Sequence, residues 1–119
     1  MALLLVYVVC ADEREAKAIG GACVRARAAV CANVLGSVDS FFRWKGKFRK
    51  CKECALFMKT TTRAYPSLER LVKKLHSYEN PAIVALPVAK ASAKCVEWVE
   101  ENCRGGRKFW LESGYAGAT

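Results

Sequence analysis

Two short runs constrain this chain more than anything else in it. LLLVYVV (residues 3–9) and AIVAL (residues 82–86) are apolar at every position. Successive side chains of a strand point to opposite faces of its sheet. A strand that is apolar at both parities therefore asks for cover on both faces.

The segments between these runs supply cover for one face only. After the first strand, Leu3 to Cys10, Asp12 and Glu15 have capping-box spacing with Asp12 as the N-cap. Ala16, Ile19, Gly20, Cys23 and Val24 then fall on one helical face. Gly20 and Gly21 weaken that helix, and close packing against a sheet would offset the loss. Two long extended runs follow, about Cys31 to Trp44 and Lys47 to Thr62, with Gly46 supplying the turn and Gly36 marking a bulge or a bend. Pro66 suits the first turn of a helix with an apolar stripe at Leu68, Leu71, Val72 and Leu75. That helix should stop near His76, before a further strand, AIVALPV, with Pro87 near its end. Ser92 caps a last helix carrying Cys95, Val96, Trp98 and Val99.

The resulting order, β-α-β-β-α-β plus a C-terminal helix, is the split-βαβ, ferredoxin-like arrangement of an α+β fold. Its helices lie on one face of an antiparallel sheet, so a second copy of the chain is expected on the other. The boundaries read as one domain over residues 1–103 and a Gly-rich tail over 104–119, whose Phe109, Trp110 and Leu111 form a short apolar patch.

Composition excludes several classes. At 53% apolar and 26% charged the chain is not disordered. The N-terminal run lacks a basic leader and a small-residue cleavage site, and it is too short to span a bilayer. No membrane partner is expected, and the compartment is read as the cytoplasm. Seven cysteines, at 10, 23, 31, 51, 54, 95 and 103, leave at least one unpaired within a monomer. Free buried thiols and intracellular disulfides of the hyperthermophile kind both stay open.

Catalytic signatures are missing. The KGK of residues 45–47 is not followed by Ser or Thr, no HExxH or nucleophile elbow occurs, and His76 is the sole histidine. CADERE stands where the acylphosphatases, small enzymes of the same fold, have a glycine-flanked phosphate loop. The chain is read as not an enzyme.

Several separate motifs then become specific: VVCADEREAKAIG, ARAAVCANVLGSVDSFFRW, RWKGK, MKTTTRAYPSLERLVKKLHSYENPAIVALPV and CVEWVEEN. In order, and over roughly residues 3–103, the chain resembles the CutA divalent-cation tolerance family. The resemblance implies a homotrimer whose long hairpin, formed by the second and third strands, reaches across to neighbouring subunits. It implies a role in divalent-cation tolerance or homeostasis, through binding of copper(II) or another divalent ion that folding does not require. Its candidate ligands are Cys10, Cys31 and His76. Thiolate and imidazole suit copper better than calcium or magnesium. It also implies an alternative, since CutA trimers look like the PII signalling trimers. A small anion would then sit in an intersubunit cleft near Trp44, Lys47, Lys59, Thr60, Tyr78 and Pro81. The chain departs from the family pattern where Lys45, Arg49, Lys50 and Cys51 replace acidic residues, and at Ser77, Ala82 and Cys95.

The hairpin itself, SFFRWKGKFRKCKEC, interleaves aromatics with six basic residues. Cys51 and Cys54 are three apart on a strand and point to opposite faces, which opposes a zinc knuckle. The aromatic and basic residues suit single-stranded nucleic acid. The RNA-recognition signature is incomplete, however, and interface packing with a basic rim is the expected use, with nucleic acid as a further alternative. The net charge of +9 favours acidic partners in general.

Overall fold

The computed structural model describes residues 3–103. In chain order it has β1 (Leu3–Cys10), α1 (Glu13–Arg25), β2 (Cys31–Trp44), β3 (Lys47–Thr61), α2 (Tyr65–Leu75), β4 (Ile83–Pro87) and α3 (Ala93–Asn102). The four strands form one sheet in the order β2-β3-β1-β4, every neighbouring pair antiparallel. This is the expected α+β, split-βαβ fold. The expectations for residues 104–119 lie outside the described residues.

Local chemistry explains the joints. Asp12 caps α1 by accepting from the Glu15 N–H at 2.8 Å, and Ser92 caps α3 by accepting from Cys95 N–H at 3.2 Å. The hairpin turn is Lys45-Gly46, both with positive φ (51° and 77°), as a two-residue turn matched to strand twist requires. Gly36, at φ 103°, takes the bulge where the β2–β3 register shifts.

The core lies between the helices and one face of the sheet. Val6, Val8 and Cys10 of β1 meet Cys54, Leu56 and Met58 of β3, Ile19 and Cys23 of α1, and Leu68 and Val72 of α2. Gly20 lets α1 approach closely: a Cβ there would stand 2.9 Å from that of Ala32. Val24, expected on the apolar face of α1, is exposed instead. A smaller cluster joins Leu3, Ala64, Val99 and Cys103 where β1 begins.

The opposite face of the sheet stays open. Leu5 and Tyr7 pair with Leu86 and Val84 of β4, and Tyr7 pairs with Phe57 of β3, so all five share that face. Val84 and Leu86 are nearly half exposed. Past the Cys10–Cys54 pair the sheet has no third strand, and β2 and β3 run on as a bare two-stranded ribbon.

Candidate functional site

At the C-terminal end of β1 three chain segments converge. Cys10 ends the strand, Glu15 sits in the first turn of α1, and His76 follows the last turn of α2. A sulfur, a carboxylate oxygen and a ring nitrogen from these residues lie within 4.8 Å of one another. Cys10 and the His76 side chain are buried, and the Glu15 side chain is 14% exposed.

Two of the three donors are already engaged. The Tyr78 N–H donates to His76 Nδ1 at 3.1 Å. Nε2 therefore carries the ring proton and donates to the Val9 carbonyl at 2.8 Å. Glu15 accepts the Ala11 N–H at 2.8 Å on one oxygen and the Ser77 N–H at 2.7 Å on the other. Burial alone would raise the Glu15 pKa. The N–H groups of Ala11 and Ser77 outweigh it, and the carboxyl titrates below its ordinary value of 4.5. Burial, reinforced by the Glu15 charge, pushes the Cys10 thiol up to about 12. The cluster fastens the loop after α2 to β1 and to the start of α1. A soft or borderline cation entering it must displace the thiol proton and compete with Tyr78 N–H for Nδ1.

Of the three ligands implied by resemblance, Cys10 and His76 come together and Cys31 does not. Cys31 pairs with Lys59, which pairs with Leu5, on the sheet face opposite Cys10. There Lys59 Nζ is 3.6 Å from its sulfur. Glu15 takes the third place. Its capping-box spacing was visible in sequence, but its carboxylate reaches Ala11 and Ser77, a use that no local pattern announces.

The cleft residues divide as well. Trp44 and Tyr78 line a groove of about 920 Å³ with Phe41, Phe42, Arg49 and Glu53. Asp39, Glu79 and Ala82, which follows Pro81, also line it. The Tyr78 hydroxyl donates to Glu53 at 2.6 Å; burial and that carboxylate both raise its pKa. Lys47 stands at the hairpin end opposite Trp44. Thr60 is fully buried and donates to the Ala28 carbonyl at 2.6 Å, and Lys59 lies on the open sheet face. A single chain does not gather these six residues. Cys51 is exposed and Cys54 buried, so they form no common site.

Comparison with known proteins agrees with the fold. The family model described as CutA1 divalent ion tolerance protein matches residues 4–102. The divalent-cation tolerance protein CutA of Thermus thermophilus is 39% identical over 82% of this chain and 95% of its own length. Its solved structure superposes with a TM-score of 0.83 at 38% identity, covering 85% of this chain and 98% of that one. Human protein CutA is 34% identical over 80% of this chain, which spans about half (53%) of the human protein. A structure from Archaeoglobus fulgidus, described as a periplasmic divalent cation tolerance protein CutA, gives a TM-score of 0.81 at 28% identity over 84% of this chain and 97% of that one.

Proposed function

The chain belongs to the CutA1 divalent ion tolerance family, and from that premise we propose that it serves divalent-cation tolerance as a trimer that takes up copper(II) or a related divalent ion as cargo. The observation that carries the metal reading is the convergence of Cys10, Glu15 and His76 donors within 4.8 Å. One thiol, one imidazole and one carboxylate suit copper or zinc over magnesium and calcium. Glu15 supplies a standing negative charge, His76 offers Nδ1 once Tyr78 N–H yields it, and Cys10 gives up a proton on binding. Because backbone groups satisfy Glu15 and His76 and Cys10 packs in the apolar core, the ion is not needed for folding. Seven thiols, free among the described residues, suit a reducing compartment, and the cytoplasm is proposed. No catalytic role is proposed: the carboxylate and the imidazole are held by backbone groups.

Trimerisation is supported by the open sheet face, where Leu5, Tyr7, Phe57, Val84 and Leu86 form a band that this chain's helices do not reach. The alternative, a small anion in an intersubunit cleft, finds Trp44 and Tyr78 in one groove. Its charged lining, however, is Asp39, Glu53 and Glu79 against Arg49. An anion there would need cations from a neighbouring subunit.

Anaerobic calorimetric titration of the reduced, metal-free chain with cupric and zinc ions tests the metal reading, with recovered copper checked for reduction by thiols. Saturable binding at a fixed ratio per subunit is expected, lost in Cys10→Ser and His76→Ala and kept in Cys31→Ser. Binding that survives in both cluster variants, or no binding at all, would overturn the assignment to this cluster.

A further inference from the structure

Cys10 has a second neighbour that the cation cluster does not use. In the β1–β3 ladder it stands directly opposite Cys54, the last pair before β3 runs on with β2 alone. Residues directly opposite in an antiparallel ladder have Cα atoms about 4.5–5.5 Å apart, within the ~4.4–6.8 Å that a disulfide bridges. Among the described residues no other two cysteines face each other across strands. Both side chains lie on the core face with Val6, Val8, Leu56 and Met58, and both are at most 1% exposed. That face is covered by this chain's own helices, so the pair belongs to one subunit whatever covers the open face of the sheet.

Both thiols are free. The Cys54 sulfur meets the Ala55 carbonyl at 3.9 Å, a weak contact that leaves it able to turn toward Cys10. Cys54 also lines a cavity of about 210 Å³, together with Asp12 and Glu13 at the start of α1 and Ser37 and Lys52 of the hairpin. A molecule little larger than water fits there. We propose that Cys10 and Cys54 close a reversible disulfide that takes Cys10 out of the cluster and so releases its cation. This switch rests on the cation reading of Cys10, Glu15 and His76.

The chemistry balances with a hydroperoxide as the oxidant. The Cys54 sulfur attacks one oxygen of hydrogen peroxide. The O–O bond breaks, an S–OH group forms, and the thiol proton leaves with the other oxygen as water. The Cys10 sulfur then attacks the Cys54 sulfur. The S–S bond forms, the S–O bond breaks, and the hydroxyl leaves with the Cys10 proton as a second water. Two thiols lose two electrons, and one peroxide is reduced to two waters. A cation binds the thiolate, and a disulfide sulfur has no proton to give up for it. Glu15 and His76 are then left without their soft partner. In a reducing compartment such a bond is transient and redox-sensing, and thiol exchange reopens it.

The test uses the full chain, free of metal, and two readouts. After hydrogen peroxide treatment, free thiols are alkylated and tryptic peptides are mapped by mass spectrometry. Cleavage after Lys52 separates Cys54 from Cys51. Peptides joined through Cys10 and Cys54 are expected, and dithiothreitol should part them. Zinc, which has no redox chemistry of its own, is then titrated into the reduced and the oxidised protein. Losing a group that merely supports a ligand weakens a metal site about 10–100-fold, so losing the thiolate should weaken zinc binding at least about 100-fold. Cys54→Val fills the same space and should bind zinc before and after peroxide alike. Cys54→Ala is the second variant should the branched side chain disturb the fold. Peroxide that oxidises the exposed Cys51 but leaves Cys10 and Cys54 unjoined would overturn the proposal. So would a joined pair with unchanged zinc affinity, or an equal loss of zinc in both Cys54 variants. Reduced wild-type protein that binds no zinc would overturn the cation reading itself, and the switch with it.

Discussion

The Tyr78 N–H rests on His76 Nδ1 at 3.1 Å, while Nε2 of the same ring holds the Val9 carbonyl at 2.8 Å. One imidazole thus joins the loop after α2 to the last residues of β1, at the place where a cation would enter. Truncation by His76→Ala strands a carbonyl and an N–H in a buried site and leaves a cavity. A loss of about 2–4 kcal/mol in urea unfolding is expected. Copper uptake, if it takes Nδ1, must release the Tyr78 N–H, and hydrogen exchange should show that amide losing protection on metal addition. Unchanged protection at saturating copper would place the ion elsewhere.

Glu15 sets an acid limb. Its folded pKa lies below the ordinary 4.5, so its contribution is complete above that value and is lost as pH falls through the lower folded value. Glu15→Gln keeps the size of the side chain, removes the charge and leaves one backbone N–H facing an amide group. Unfolding free energy should drop by about 2 kcal/mol at pH 7 and hardly at all at pH 2. A difference between the two proteins that is constant with pH would show that the carboxylate's charge is not what matters.

Much of this was legible because it was local. Asp12, Ser92, Gly46 and Pro66 mark joints by chemistry that acts within four residues, and the two-parity strands announced an uncovered face. The candidate cluster was less legible. Whether Cys31 faces Cys10 depends on sheet register, which places it beside Lys59 and Leu5 on the other face. Glu15 meets Ser77 only because α1 and α2 pack side by side, a contact no short-range pattern encodes. Val24 fits the helical period but lies just past the residues that reach the sheet.

Gly20 is a position where helix propensity and packing pull in opposite directions. Alanine would gain up to about 1 kcal/mol in helix propensity. Its Cβ would meet that of Ala32 at 2.9 Å, a methyl fixed to a sheet backbone that cannot swing aside. Overpacking of this kind costs about 1–3 kcal/mol, so Gly20→Ala should destabilise by roughly 1 kcal/mol net. Adding Ala32→Gly should restore part of the loss in thermal unfolding. A stabilised single variant would mean that α1 can move off the sheet without penalty.

Tyr78 and Glu53 form the latch over the groove. Glu53 is 9% exposed, and the Tyr78 hydroxyl meets it at 2.6 Å. Tyr78→Phe keeps the ring against His76 and removes only the donor, so the cost should be about 1–3 kcal/mol from an undersatisfied carboxylate. In a Glu53→Gln background, where the carboxylate is gone, Tyr78→Phe should cost less. An equal loss in both backgrounds would argue that packing, not the hydrogen bond, carries the effect.

The open sheet face makes the last prediction. Tyr7 and Phe57 touch at 5.2 Å between ring centroids, flanked by Leu5, Val84 and Leu86. The opposite face of the same strands carries Val6, Val8, Leu56 and Met58, all fully buried beneath helices. An exposed apolar band of this extent marks an interaction surface. If three copies close around it, light scattering should give a trimeric mass down to low concentration. A carboxylate placed there must be buried without a partner, at a cost of several kcal/mol per copy. Val84→Asp with Leu86→Asp should therefore dissociate the assembly. Each subunit should keep its helices by circular dichroism, because the substituted side chains do not face the core. Copper binding at Cys10, Glu15 and His76 should survive in the dissociated chain, since that cluster is built within one subunit at a strand end. A wild-type monomer at micromolar concentration, or a trimer indifferent to both aspartates, would move the association surface away from this face.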